Sequence, residues 1–193
     1  MEKSTAKKSS YRLNRGLIHY YFGNGKGKTT TLIGSIIRGL GHGLKPILIQ
    51  YLKSHNNGED GRKGYFMGEI HFLQPFIEIK QFGTGDFINS GKSKSDKDIK
   101  LAEKGFEFAQ KIIYSGKYDI VGLDEIINAI SLNLIDMDEL ITLLKQKPNH
   151  IEVIITGAMY YKKLVNIADY SIGYNCYRHP YEEGVEARKG IEF

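Results

Sequence analysis

The stretch that most constrains this chain is Gly23-Asn24-Gly25-Lys26-Gly27-Lys28-Thr29-Thr30, which follows an apolar run, Leu17 to Phe22, and opens a helix-periodic segment. Three glycines in five residues let the backbone turn its N–H groups inward around an anion, and a following helix adds the positive end of its macrodipole. In such a loop Lys28 reaches phosphate oxygens and the Thr29 hydroxyl faces a bound Mg²⁺. The general motif places four residues between its first glycine and the Gly-Lys pair, whereas three separate Gly23 from Gly27 here. The strand–loop–helix context favours a phosphate loop over a surface turn with a solvated lysine. Residues Gly23 to Thr30 are therefore expected to bind a nucleotide triphosphate.

A chain of 193 residues with 41% hydrophobic content suits one α/β domain with a full core. Five basic residues against Glu2 in residues 1–16 carry four of the five net positive charges, so the basic balance is mostly that of a polar tail and nucleic acid is not an expected partner. Residues 1–15 read as a flexible basic tail, a lid or nothing, and 16–193 as the domain. No stretch has the length of a membrane span, and one cysteine, Cys176, allows no intramolecular disulfide, which suits the cytoplasm. Cys176 is either a reactive thiol or, more in keeping with a strand-like stretch, a small buried hydrophobe.

Beyond the loop, Leu32, Ile33, Ile36, Ile37 and Leu40 form one helical face stopped by Gly41-His42-Gly43. Arg38 either curls back toward the phosphates or is solvated, and its spacing favours solvent. Further strands are expected over Pro46 to Leu52, Phe76 to Phe82, Ile151 to Thr156 and near Tyr170 to Tyr174. Leu101 to Ile113 marks the buried face of a long helix ended by Gly116, and Asp136 with Glu139 forms a capping box before a helix closed by Pro148. The glycine-rich run Gly83 to Gly91 lies at the carboxyl end of a strand, the edge that carries ligands in open α/β sheets.

Tyr118 to Glu125 is the second chemical landmark, an apolar strand delivering Asp124 and Glu125 at its carboxyl end. An acid there can hold Mg²⁺ or a water in its shell, and about one hundred residues after a phosphate loop it completes one architecture. Thr29, Asp124 and Glu125 are the candidate metal ligands. His179, ahead of Pro180, either touches a substrate or serves a turn. No Cys/His cluster suggests zinc.

Taken in order, the phosphate loop, Arg38-Gly39-Leu40-Gly41-His42-Gly43, Gln50-Tyr51-Leu52-Lys53, Leu123-Asp124-Glu125-Ile126-Ile127-Asn128-Ala129, Ile155-Thr156-Gly157 and Arg178-His179-Pro180 with Lys189-Gly190-Ile191-Glu192-Phe193 resemble the ATP:corrinoid adenosyltransferases, from about Gly16 to Phe193. The shortened loop is typical of that family. The resemblance implies a single RecA-type P-loop domain, a mostly parallel sheet of about six strands flanked by helices. It implies transfer of the 5′-deoxyadenosyl group of ATP to the Co(I) of a reduced corrinoid, cobalamin or a precursor such as cob(I)yrinic acid a,c-diamide, with release of triphosphate. It further implies ATP held in reversed orientation with its distal phosphates in the loop, a homodimer, and a flavoprotein reductase supplying Co(I).

By the same resemblance Lys28, Arg38 and Glu125 are catalytic, Asn24 lies near the nucleoside, and Gly85, Phe87 and His179 contact the corrinoid. Co(I) is so strong a nucleophile that no serine, cysteine or general base has to be activated, which leaves the protein positioning and charge stabilisation. Two departures stand out. The family's Gly-x-Gly-Phe-Thr-Trp run, whose aromatics help strip the lower axial ligand from cobalt, is Gly83-Thr84-Gly85-Asp86-Phe87-Ile88 here, and the chain has no tryptophan; Ala158 stands where the family tends to have Arg. The rival readings are a P-loop kinase and a nucleotide-dependent switch ATPase.

Overall fold

The structure, a computed structural model, describes residues 11–54, 67–84 and 94–193. Its strands are β1 (Ile18–Phe22), β2 (Pro46–Tyr51), β3 (Glu78–Phe82), β4 (Ile120–Asp124), β5 (Glu152–Gly157) and β6 (Tyr170–Gly173). Its helices are α1 (Lys28–Gly41), α2 (Gly68–Leu73), α3 (Asp96–Ser115), α4 (Ile126–Ser131), α5 (Met137–Gln146) and α6 (Lys162–Val165), and a 3₁₀ turn covers Pro180–Glu183. The six strands form one sheet in the order β3-β2-β4-β5-β1-β6, and every pairing is parallel. The expected α/β architecture is therefore present.

Burial on both faces explains the near-continuous apolar strands β2, β4 and β5, whereas β6, at one edge of the sheet, is exposed and β3, at the other, partly so. In β2, Ile47, Ile49 and Tyr51 face the side covered by α3 and α4, while Leu48 faces α1. On the α1 side Leu32 and Ile36 are wholly buried, each contributing about 1.5–3 kcal/mol by leaving water. Ile37, expected on that face, is exposed, because the stripe formed by Leu32, Ile33 and Ile36 leaves the next position one helical step outside it.

The local signals explain where helices begin and end. Ser95 and Asp98 close a reciprocal capping box at the start of α3, and Gly116 ends that helix in the left-handed conformation. Asp136 caps α5 by accepting from the N–H groups of Asp138 and Glu139, the Asp136 half of the expected box. Residues 11–15 sit at the amino edge of the sheet, where Arg12 pairs with Asp119 and Arg15 with Asp169, each at 3.7 Å. Those residues of the expected tail are thus on the side of the sheet opposite the phosphate loop; residues 1–10 lie outside the described residues. No helix among the described residues is long and apolar enough to cross a membrane.

Candidate active site

The phosphate loop connects β1 to α1 and is braced from both neighbouring strands. The Gly23 N–H donates to the Ala158 carbonyl just past β5 (3.0 Å), and the Gly25 N–H donates to the Tyr174 carbonyl just past β6 (2.9 Å). Gly23 has φ +113°, and a Cβ there would lie 2.3 Å from the Tyr174 carbonyl oxygen, so both conformation and space require glycine. Tyr174 is tied back to α1 through its hydroxyl, which donates to Thr31 Oγ1 at 2.7 Å. Among the described residues, no backbone carbonyl accepts from the N–H groups of Gly27, Lys28, Thr29 or Thr30. These are the donors that a helix start offers to an anion.

Lys28 folds back over its own loop, donating from Nζ to the carbonyls of Gly23 (2.7 Å) and Gly25 (2.9 Å). Burial lowers its pKa against the opposing pull of Glu125 and Asp124. Its ammonium is held at the loop by weak, neutral acceptors that a phosphate would outcompete.

Asp124 ends β4 and is fully buried. Its Oδ1 accepts from Thr29 Oγ1 (2.9 Å) and Thr156 Oγ1 (2.8 Å), and its Oδ2 accepts from Gln50 Nε2 (2.9 Å) and Lys53 Nζ (3.0 Å). Burial by itself raises the pKa of this carboxyl, but the Lys53 charge and the hydrogen bonds of Lys53, Thr156 and Gln50 outweigh it and hold it below the ordinary value. Four donors fill the lone-pair positions of one carboxylate. Among the described residues Asp124 thus holds the Thr29 hydroxyl in place, and it can ligate a metal only if a donor leaves.

Glu125 follows in left-handed conformation, φ 63°. Its N–H donates to Thr156 Oγ1 at 2.9 Å, and its carboxylate accepts from the Asn128 amide. Burial, then the neighbouring Asp124 charge, raise its pKa; Lys53, Lys28 and the Asn128 bond oppose them. Glu125 shares an open cavity of about 500 Å³ with Lys26, Gly27, Lys28, Thr29 and Thr30. Among the described residues no three His, Cys, Asp or Glu side chains form a metal cluster. Mg²⁺ carried by a nucleotide needs only one or two protein oxygens besides the phosphates, and Thr29 with Glu125 could supply such an oxygen-only set.

A family model described as ATP:corrinoid adenosyltransferase BtuR/CobO/CobP matches residues 14–193. The chain belongs to this family. It is 31% identical over its full length to a corrinoid adenosyltransferase of Sinorhizobium sp., covering 86% of that protein. It is 28% identical to the corrinoid adenosyltransferase of Escherichia coli K12 and 26% identical to the corrinoid adenosyltransferase CobA of Salmonella typhimurium, in each case over the whole chain and 93% of the relative.

Of the residues expected to serve the site in this family member, the structure gathers Lys26, Gly27, Lys28, Thr29, Thr30 and Glu125 around the cavity. Gly23 and Gly25 shape the loop behind it, and Asn24 turns its side-chain oxygen toward the Cys176 N–H at 3.3 Å. Arg38 stands exposed in the last turn of α1, about 15 Å along the helix from Lys28, and is not brought to the cavity. His179 is exposed; its Nδ1 accepts from the Tyr181 N–H at 3.2 Å, capping the 3₁₀ turn. Gly85 and Phe87 lie outside the described residues. Cys176 is half-buried beyond the end of β6, not a core residue of a strand.

Sequence reasoning assigned no role to Gln50, Lys53, Thr156 or Asn128, although all four fall in quoted motif stretches. It also missed the segment Gly190 to Phe193, which lines the cavity together with the start of α2. That segment is fastened to the loop by Lys26, whose Nζ donates to the Ile191 carbonyl (3.2 Å) and to Glu192 (2.9 Å). Hydrogen bonds from Arg188 and Lys26 push the Glu192 carboxyl down to about 2. The available signal was charge: a lysine inside a phosphate loop needs a partner, and Glu192 follows the Arg188-Lys189-Gly190 turn.

Proposed function

We propose that this chain transfers the 5′-deoxyadenosyl group of ATP to the Co(I) centre of a reduced corrinoid and releases triphosphate. The observation that carries the reading is the assembly of Lys28, Thr29 and the free amides at the start of α1 in one cavity with Glu125, in a member of the ATP:corrinoid adenosyltransferase family. In the reaction the Co(I) electron pair forms the Co–C5′ bond, the C5′–O bond breaks, and its electron pair leaves on triphosphate. Cobalt passes formally from Co(I) to Co(III).

The residues act by holding charge. Lys28 and the α1 amides bind the triphosphate, whose charge is largest as it leaves, so these donors favour the transition state over bound ATP. Thr29 and Glu125 are the proposed Mg²⁺ ligands, with Asp124 fixing the Thr29 hydroxyl. The metal would supply further neutralisation of phosphate charge. Arg38 and His179 are left out of this set, since neither lines the cavity. Gly85 and Phe87 are retained as proposed corrinoid contacts because they follow β3 in the sequence, after its carboxyl end.

The proposal extends to a catalytic domain over residues 16–193, a homodimer, a flavoprotein reductase as the source of Co(I), and a cytoplasmic location, where ATP is at hand. Anaerobic incubation with MgATP and chemically reduced cobalamin tests the reaction. A light-sensitive alkylcobalamin with a matching amount of triphosphate is the expected result. ADP or orthophosphate with an unchanged corrinoid would overturn it in favour of a kinase or switch.

A further inference from the structure

Two of the three non-glycine residues with positive φ among the described residues lie at the carboxyl edge of the sheet, Leu52 (φ 60°) just after β2 and Glu125 (φ 63°) just after β4. These strands are neighbours, with Gln50 opposite Asp124. The left-handed conformation is costly for a residue with a side chain, and the Leu52 turn is followed directly by the lysine that reaches the acid pair. Lys53 Nζ lies 3.0 Å from Asp124 Oδ2, with Lys53 one-quarter exposed and Asp124 fully buried.

The other three donors to Asp124 are neutral, and Gln50 is itself aimed by Gln81, which donates to its carbonyl at 2.7 Å. Among the described residues no other ammonium or guanidinium lies within ion-pair distance of Asp124 or Glu125. Lys28 is turned to the loop carbonyls. Among the described residues Lys53 is therefore the one cation in contact with Asp124, next to a second carboxylate, Glu125, that no cation contacts, at the place where a metal–triphosphate would bring its own.

We propose that the Lys53 ammonium is a resident counter-ion that stands in for the divalent cation in the nucleotide-free protein and yields Asp124 when the metal–nucleotide binds. Lys53 and free metal then compete for Asp124, so the site takes up metal with the triphosphate and resists metal alone. The idea rests on the metal–triphosphate reading of this cavity. Lys53 acts through Asp124 and is a positioning residue.

The test is a Mg²⁺ titration without nucleotide, read by thermal melting of the wild type, Lys53→Met and Lys53→Arg. Lys53→Met is expected to melt lower without metal, and its half-maximal stabilisation by Mg²⁺ should need about tenfold less metal, the factor expected when a competing state occupying nine-tenths of the molecules is removed. Lys53→Arg should behave as the wild type. An equal or higher Mg²⁺ requirement in Lys53→Met overturns the proposal. Should Lys53→Met fail to fold, the ¹³Cε resonance of Lys53 in the wild type, assigned by its loss in Lys53→Arg, decides: it should move toward the position of a solvated lysine on MgATP binding, and an unmoved signal refutes displacement. Calorimetric titration of ATP with Mg²⁺ in the absence of corrinoid separates the two levels. No ATP binding refutes the cavity reading, whereas ATP binding with an unshifted Mg²⁺ requirement refutes only the role of Lys53.

Discussion

Thr29 Oγ1 donates to Asp124 Oδ1 at 2.9 Å across a sequence separation of 95 residues, joining the first turn of α1 to the end of β4. The bond crosses the end of β5, whose Thr156 donates to the same oxygen and accepts from the Glu125 N–H. Three chain segments are thereby locked around one buried carboxylate.

Asp124→Asn should therefore be severe for folding as well as for chemistry. An amide has one acceptor oxygen in place of two, and its NH₂ group would confront either the threonine hydroxyls or the Lys53–Gln50 donors. Breaking a buried, paired charge costs about 3–5 kcal/mol. Urea denaturation of the nucleotide-free protein should show a loss of that size, and a midpoint within experimental error of the wild type would refute the network as a structural lock.

Lys28→Ala should give the opposite pattern. Among the described residues its Nζ bonds only the Gly23 and Gly25 carbonyls of its own loop, so stability should change by about 1 kcal/mol or less. Loss of one preorganised donor to a leaving anion lowers turnover by about 10²–10³-fold. Steady-state adenosyl transfer with saturating MgATP checks this, and near-normal kcat would remove Lys28 from the site.

Glu125→Gln separates stability from function. Burial and the Asp124 charge raise the Glu125 pKa above its ordinary 4.5. A raised folded-state pKa means that the folded protein binds this proton more tightly than the unfolded chain, so its contribution to stability is fully present below 4.5 and is lost as pH rises through the raised value. Asp124, with a lowered pKa, contributes above its ordinary 3.8, and that contribution is lost as pH falls through its lowered value. Glu125→Gln should match the wild type at acid pH and melt higher at neutral pH, while its Mg²⁺ requirement rises. Parallel melting curves across pH would show that Glu125 carries no such burden.

The sequence made the site's local parts readable and left its cross-strand parts hidden. Gly23 to Thr30 and Asp124-Glu125 announce themselves because each is an apolar strand followed at once by its functional residues. Lys53 on Asp124 and Thr156 on the same carboxylate depend on β2 and β5 flanking β4, an order that no local pattern encodes. Arg38 is a related case: its place in the resemblance is close to the loop in sequence, while α1 sets it about 15 Å along the helix from Lys28. The Gly190 to Phe193 wall has no periodicity and is held by Lys26 and Arg188, so only the tertiary contacts reveal it.

Gly23→Ala and Gly27→Ala should differ although both glycines have positive φ, +113° and +120°. At Gly23 the added Cβ would meet backbone, the Tyr174 oxygen at 2.3 Å and nitrogen at 2.9 Å, so the segment after β6 must move with it. At Gly27 the nearest atoms belong to the Tyr174 ring, at 3.1 and 3.3 Å, which can give by a few tenths of an ångström. Conformational strain of about 1–3 kcal/mol applies to both, and the backbone collision adds to it only at Gly23. Urea denaturation should rank Gly23→Ala below Gly27→Ala, and ATP titration should show Gly23→Ala losing affinity together with stability because its brace to β5 and β6 is also the loop's shape. Equal denaturation midpoints for the two variants would mean that the loop is not held against Tyr174 in solution.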